Sequence, residues 1–185
     1  MPAPYPRSFR TAAATLNRQP IHRPDDPPVR TYVRARGADA CEYCLMPTNG
    51  RFEIEHIVPK AQWGDYQAND YAALRPPRRL AAPTFDHISN FAWSCFFCNR
   101  YKGGQRRPRG TTRLYDPRHD TWPRHFGYSP TKGYMVIVGL TEIGRETIRS
   151  LKFHEGGEEG PVVERGAMVV RGLYPPLWLR AAYRI

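Results

Sequence analysis

The chain has 185 residues, with 28 Lys or Arg against 17 Asp or Glu, a formal net charge of +11 and a sequence pI near 9.9. This length suits one domain with a sizeable core, or a small domain plus an extension, and argues against two large domains. No apolar run approaches the roughly 20 residues that span a bilayer, which argues against a membrane-spanning protein. The positive charge favours a polyanionic partner, with nucleic acid as the first candidate.

Residues 1–27 are rich in Pro, Arg and Ala and show little periodicity, so we predict an arm that is ordered only where it docks. The segment lacks the continuous apolar stretch of a secretory signal, and we expect an intracellular, cytoplasmic protein of bacterial or phage type. A basic start poor in acidic residues also resembles an organelle transit peptide, although its prolines oppose an amphipathic helix.

The next elements are short. A helix is expected from about Val29, with Pro28 in its first turn and Gly37 at its end. The stretch "RFEIEHIVP" alternates apolar and polar residues, which predicts a strand that ends before Pro59. Residues 61–86 read as loop and short helix.

A second strand, "NFAWSC", is followed by "CFFCNRYKGG", which predicts a helix ended by Gly103 and Gly104. We assign residues 28–110 to a core domain and residues 111–185 to a C-terminal α/β extension on or beside it. Within the extension, "GYMVIVGL" predicts a strand, "TEIGRETIRSLKFH" a helix that Thr141 opens, and "GPVVERGAMVVRG" another helix.

All four cysteines lie in two CxxC pairs, Cys41 with Cys44 and Cys95 with Cys98. Two such pairs complete a tetrahedral sulfur shell, which predicts a structural zinc site. Two disulfides are the alternative, and the absence of an export signal disfavours them. A thioredoxin-like redox motif needs a single CxxC in a βαβ setting, and no such pattern is present.

A zinc ion shared by both pairs would bring "EIEHI" beside "ISNFAWSCFFCNRYK". Polar residues that zinc binding does not require then converge, and they are Glu55, His56, Asn90, Asn99 and Lys102. Successive residues of a strand point to opposite faces, so Glu55 and His56 are expected to divide two roles and not to chelate one ion together.

The succession "CEYC", "EHIVPK" and "SNFAWSCFFCNRYKGG", over about residues 41–104, resembles the HNH endonuclease family. The resemblance implies an α+β protein with a ββα-metal core around one divalent cation. It also implies His56 as the general base, Glu55 as a ligand of the catalytic metal, Asn90 as the residue that orients the base, and Asn99 as the last metal ligand. The products would carry a 5′ phosphate and a 3′ hydroxyl.

Two positions depart from the family pattern. Glu55 stands where Asp is common, and Asn99 stands where the family name has His. A carboxylate plus an amide oxygen is a hard donor set, so we expect Mg²⁺ or Mn²⁺ as the catalytic cation. Lys102 or Arg100 is expected to neutralise charge that develops on the phosphate.

An acid-free basic run follows the second CxxC, and we predict that it contacts the backbone of double-stranded DNA. The residues assigned to this contact are Arg100, Lys102, Arg106, Arg107, Arg109 and Arg113. A solvated linker is the alternative for this run. Asp86 and His87 resemble the Glu55–His56 pair but lie too close to Asn99 for a hairpin, so they are interpreted as turn or groove residues.

Two non-catalytic functions stay open from the sequence. A zinc-stabilised module could bind nucleic acid by charge alone, which predicts affinity without turnover. A zinc-ribbon adaptor for proteins predicts little dependence on salt or nucleic acid. The biological setting, the choice of DNA over RNA, sequence preference and oligomeric state leave no readable signal.

Overall fold

A computed structural model shows how the two predicted strands near the cysteines pair. It describes residues 15–16, 22–48, 50–71, 84–105, 112–155, 160–177 and 180. Strand β1, Phe52–His56, lies antiparallel to β2, Phe91–Cys95, with Phe52 opposite Cys95 and His56 opposite Phe91. Residues opposite each other share a face of the sheet, so Phe52, Ile54 and His56 lie on one face and Glu53 and Glu55 on the other.

Helical segments precede, connect and follow the two strands of this hairpin. Helix α1, Pro27–Arg36, buries Val29 and Val33 and ends at Gly37, as predicted. The α-helical turn α2, Trp63–Asp65, lies between a 3₁₀ turn, Lys60–Gln62, and a π-helical segment, Tyr66–Tyr71.

Helix α3, Phe96–Lys102, follows β2 directly and packs against the face of β1 that carries Glu53 and Glu55. It ends at Gly103, whose positive φ of 48° is a backbone conformation that glycine adopts without strain. The two strands and the helix predicted around the cysteines are thus all present as separate elements.

A second two-stranded sheet lies in the C-terminal part of the chain. Helix α4, Trp122–His125, leads into β3, Phe126–Ser129, which pairs antiparallel with β4, Gly133–Gly139. The sequence predicted β4 but not β3. Helix α5, Glu142–Ser150, begins after Thr141, whose hydroxyl accepts from the Gly144 N–H at 3.2 Å.

Close packing and one buried charge hold the C-terminal helices. At Gly144 a Cβ atom would lie 2.0 Å from the His125 carbonyl oxygen, so only glycine permits the close approach of α5 to α4. Helix α6, Pro161–Val170, carries the buried Arg165, which donates to the Met135 carbonyl at 2.8 Å. Among the described residues, no helix combines the length and apolar character needed to cross a bilayer.

The C-terminal extension shares one apolar core with residues 28–110, because buried side chains of both parts form a single cluster. Trp122 Nε1 donates to the Tyr43 carbonyl at 3.0 Å, and the Tyr174 hydroxyl donates to the Cys44 carbonyl at 2.9 Å. Arg118 forms an ion pair with Glu42. Three side chains of the extension therefore hold the first CxxC turn.

The described part of the N-terminal arm also docks. Leu16 belongs to the core, and its carbonyl lies 2.9 Å from His22 Nε2. The His22 N–H donates to the Asp86 carbonyl at 2.6 Å. The rest of residues 1–27 lies mostly outside the described ranges.

We predict that Trp122→Ala lowers the free energy of unfolding by about 3–5 kcal/mol, because it empties a buried site and leaves the Tyr43 carbonyl without its donor. The measurement is urea unfolding of the full chain at fixed zinc concentration. Val170→Ala is the matched control, since Val170 is 87% exposed and its loss should cost about 0.5 kcal/mol or less. Equal stability of the two variants would show that the extension does not support the core.

Candidate metal centre and candidate active site

The four cysteine side chains converge. Cys41 and Cys44 come from the turn before β1, Cys95 ends β2, and Cys98 lies in the first turn of α3. All four are buried, and their sulfur atoms lie within 4.8 Å of one another. Cys44 and Cys95 Sγ are 3.7 Å apart, well beyond the roughly 2.05 Å of a disulfide. The predicted cluster is confirmed, and the chain has no disulfide.

This cluster can hold a structural metal such as zinc. Four sulfur donors in a closed, buried arrangement match a structural zinc site. Burial raises the pKa of the Cys98 thiol, so a bound cation is what would favour its thiolate form there. Within the described ranges, it is the one group of three or more His, Cys, Asp or Glu side chains that are close enough to share an ion.

Local backbone geometry explains why the first pair can reach the second. The Leu45 N–H donates to the Cys41 carbonyl, and the Cys41 N–H donates to the Met46 carbonyl, each at 2.8 Å. Leu45 has a φ of +63°, which closes the turn that points both sulfurs inward. The second pair needs no such turn, since Cys95 and Cys98 span the junction of β2 and α3.

Glu55 and Lys102 form a buried ion pair between β1 and α3. Lys102 Nζ donates to Glu55 Oε1 at 2.5 Å and to the His56 carbonyl oxygen at 2.7 Å. The Lys102 side chain is 1% exposed and the Glu55 side chain is 10% exposed. Burial raises the pKa of the Glu55 carboxyl, and the Lys102 ammonium opposes that shift. The cation that faces Glu55 in this structure is therefore a lysine.

Glu53 of β1 and Asn99 of α3 form a second contact between the same strand and helix. Asn99 Nδ2 donates to Glu53 Oε2 at 2.5 Å. Spacing explains the match, because residues i and i+2 of a strand share a face, as do residues i and i+3 of a helix. Glu53 was not among the predicted site residues, although its position two residues before Glu55 places it on the same strand face.

The expected Mg²⁺ or Mn²⁺ would need oxygen donors from the side chains between β1 and α3. The carboxylates of Glu53 and Glu55 lie on one face with the Asn99 side chain, and oxygens of these groups are donors of the kind that Mg²⁺ or Mn²⁺ takes, but Asn99 turns its Nδ2 toward Glu53. A cation at Glu55 would have to share that carboxylate with Lys102 or displace the ammonium. Glu55 and Asn99 would therefore offer oxygen donors to a cation once these two contacts rearrange.

His56 lies on the opposite face of β1, as the alternation predicted. Its Nε2 atom is 2.9 Å from Asp86 Oδ1, its ring stacks on Phe85 with 4.2 Å between centroids, and Phe91 meets it edge-on at 5.0 Å. Burial lowers the pKa of the His56 imidazole, and the hydrogen bond with Asp86 opposes that shift. A neutral ring at neutral pH is the form that can accept a proton.

Asn90 does not contact the His56 ring. Its Oδ1 accepts from the Val58 N–H at 2.8 Å, and its Nδ2 donates to the carbonyls of Val58 and Phe85 at 3.1 and 3.0 Å. Asn90 thus joins the chain that leaves β1 to the chain that enters β2. The hydrogen bonds of its side chain go to backbone groups, and its part in orienting the base stays a prediction.

The interpretation of Asp86 and His87 as turn or groove residues fits the structure, where both lie in the irregular segment before β2, but it missed one contact. His87 does cap a turn, since its Nδ1 accepts from the Ser89 N–H at 3.2 Å. Asp86, in contrast, is the partner of His56. No local pattern predicts this contact, because the two residues come from segments that meet only when β1 pairs with β2.

The residues assigned to nucleic acid have different environments. Arg100 is exposed and stacks on Phe96, with 5.7 Å from its guanidinium carbon to the ring centroid. Lys102 is buried, and Arg113 donates to both carboxylate oxygens of Asp120 at 2.5 and 2.7 Å. Both side chains are engaged within the protein in this arrangement, and their assignment to nucleic acid stays a prediction. Residues 106, 107 and 109, all arginines, lie outside the described residues.

We predict that the purified chain carries one zinc ion and that Cys95→Ser loses both the ion and cooperative unfolding, because a buried sulfur site with three ligands cannot close around the metal. Elemental analysis and thiol titration before and after denaturation check this. Thiols that are oxidised in pairs, with no metal, would contradict the zinc assignment.

A second prediction concerns the buried ion pair. Lys102→Met should lower the free energy of unfolding by about 3–5 kcal/mol, because Glu55 is left buried without a countercharge. Adding Glu55→Gln should recover most of that loss, which a double-mutant cycle in urea measures. Arg34→Met is the control, since its pair with Asp39 is exposed and should contribute about 0–1 kcal/mol. Additive effects of the two core substitutions would contradict a direct pair.

Comparison of the chain with protein-family models, with curated proteins and with solved structures gives no match. The structure by itself shows a mixed α/β protein with two small antiparallel sheets and a buried four-cysteine cluster.

Proposed function

We propose that this protein is an HNH-type endonuclease that hydrolyses phosphodiester bonds in DNA with the help of Mg²⁺ or Mn²⁺. One observation carries the proposal. The strand β1 ends on Glu55 and His56, which point to opposite faces, with Asn99 and Lys102 of α3 on the carboxylate side and Asp86 on the imidazole side. A fold that uses zinc only for stability does not require a buried carboxylate and a half-buried imidazole side by side at a strand end.

His56 is the general base in this proposal. Its ring is held between Phe85 and Phe91, and its Nε2 is engaged by Asp86, while no described residue makes a hydrogen bond with its Nδ1. The Nδ1 lone pair of a neutral imidazole can accept a proton from a water molecule aligned with the phosphorus. Because 24% of the side chain is exposed, solvent can reach the ring.

Glu55 and Asn99 are the residues that would hold the divalent cation. Such a cation, when bound, stabilises charge on the phosphate and the leaving oxygen. Lys102 orients Glu55 through the bond to its Oε1, and it fixes the end of β1 through the bond to the His56 carbonyl. Its proposed role is therefore to position these two residues, with direct contact to phosphate left to exposed cations such as Arg100.

The net charge of +11 supports a nucleic-acid substrate, since each neutralised phosphate releases bound counterions. Each active site addresses one strand, so a monomer is expected to nick supercoiled DNA. A double-strand break would need a dimer or a second encounter.

A non-catalytic zinc module that binds nucleic acid by charge is the second candidate. The observation that favours it is the set of contacts made by the proposed ligands. Glu55 already pairs with Lys102, and Asn99 already pairs with Glu53. If those contacts persist with DNA and Mg²⁺ present, the chain would bind without turnover.

We predict that the zinc-loaded chain nicks supercoiled plasmid with Mg²⁺ or Mn²⁺ and that His56→Ala lowers the rate by about 10²–10⁴-fold, the usual contribution of a general base. Gel quantification of nicked circles measures the rate, and elemental analysis and a DNA-binding assay check that zinc and affinity are retained. His154→Ala is the control, because His154 is exposed and lies outside the candidate site.

Two results would overturn this assignment. Undiminished nicking by His56→Ala would exclude His56 as the base. DNA binding by the parent chain with no nicking in either metal would favour the non-catalytic module.

A further inference from the structure

Asp86 is the closest polar partner of the proposed base, and nothing in the sequence motif selects it. We propose that Asp86 is a positioning residue that sets the tautomer and the orientation of the His56 ring, an inference that rests on the proposed nuclease function. The observation is the 2.9 Å contact between Asp86 Oδ1 and His56 Nε2, made across the gap between the end of β1 and the segment that enters β2.

The chemistry of the contact fixes which nitrogen carries the proton. An ionised carboxylate only accepts hydrogen bonds, so the neutral imidazole must place its N–H on Nε2 and leave the lone pair on Nδ1. Phe85 stacks on the ring with an interplanar angle of 4°, and Phe91 closes its edge at 84°. The two aromatic rings restrict the plane of the imidazole, and Asp86 then fixes its rotation within that plane.

The backbone around Asp86 is itself held in place. The His22 N–H donates to the Asp86 carbonyl at 2.6 Å, Asn90 Nδ2 donates to the Phe85 carbonyl at 3.0 Å, and the Asn90 N–H donates to the His87 carbonyl at 2.7 Å. Residues on both sides of Asp86 are thereby tied to the arm and to the start of β2. Asn90 acts on the base through this support, which accounts for its lack of contact with the ring.

A solely structural role for Asp86 makes a different prediction. The Asp86 side chain is 44% exposed, so its ion pair with a charged histidine would contribute little to folding. If Asp86 only shapes the turn, its removal would change stability without changing which nitrogen of His56 carries the proton. The tautomer is therefore the readout that separates the two roles.

The first arm of the test is spectroscopic and needs no activity. The zinc-loaded full chain is labelled with ¹⁵N-histidine, and two-bond ¹H–¹⁵N spectra at a pH where the ring is neutral distinguish the N–H nitrogen from the bare one. The chain has six histidines, and the His56 signals are those lost in His56→Ala. The parent should show a single tautomer with the proton on Nε2.

The variants then vary one property each. Asp86→Asn can donate as well as accept, so the fixed tautomer should give way to a mixture, whereas Asp86→Glu keeps an acceptor and should keep Nε2–H. In plasmid nicking, Asp86→Asn should lower kcat by about 10–100-fold with KM within about twofold, and Asp86→Glu should restore the rate to within about tenfold of the parent. Asp25→Asn, which removes one exposed carboxylate of equal charge, should match the parent.

The outcomes are separable. A parent that nicks DNA, with an Asp86→Asn variant of unchanged tautomer and unchanged kcat, would overturn the role of Asp86 and leave the nuclease assignment intact. A parent that never nicks DNA would overturn the nuclease assignment, and the spectra would still decide whether Asp86 sets the tautomer. Loss of the single tautomer together with loss of kcat, both recovered in Asp86→Glu, is the expected result.

Discussion

The convergence of four buried sulfurs is the constraint on which the rest of the structure depends. Cys95 and Cys98 straddle the junction of β2 and α3, so whatever binds Cys41 and Cys44 to them also fixes α3 against β1. The extension contributes to the same point, since Trp122 and Tyr174 donate to carbonyls of the first CxxC turn. A metal at this cluster would thus join the first CxxC turn, the β2–α3 junction and the extension, and its loss would loosen the packing of α3 on β1.

The alternation of β1 then places two adjacent titratable residues in unlike surroundings. Burial favours the neutral form of each, raising the pKa of Glu55 and lowering that of His56. A neutral imidazole is useful for proton transfer, so this shift needs no correction. A neutral carboxyl is a poor metal ligand, and Lys102 opposes the shift at Glu55. The same physical effect therefore serves one residue and is counteracted at the other.

Features that depend on local sequence patterns could be predicted, and most of those that depend on contacts between distant segments could not. Helix α1, strands β1 and β2 and the end of α3 at Gly103 depend on local patterns, and all were predicted. The cysteine cluster joins distant segments, but the CxxC spacing of both pairs predicts it. The contacts of His56 with Asp86 and of Asn99 with Glu53 depend on strand register and helix placement, which no single segment encodes. Strand β3 was missed because it has only four residues, so its alternation of aromatic and small residues is too short to stand out from a loop.

Lys102 is where the two candidate functions diverge. A buried carboxylate requires a countercharge, and here α3 supplies one from the same helix that carries Asn99. If the ammonium is the permanent partner of Glu55, the pair is structural and the site lacks its main cation ligand. If Glu55 can bridge the ammonium and a divalent cation, Lys102 keeps the carboxylate ionised and oriented before the cation arrives. The second Lys102 contact, to the His56 carbonyl, holds the ammonium at the strand end in either case, so only the freedom of Glu55 to take a second cation separates the two functions.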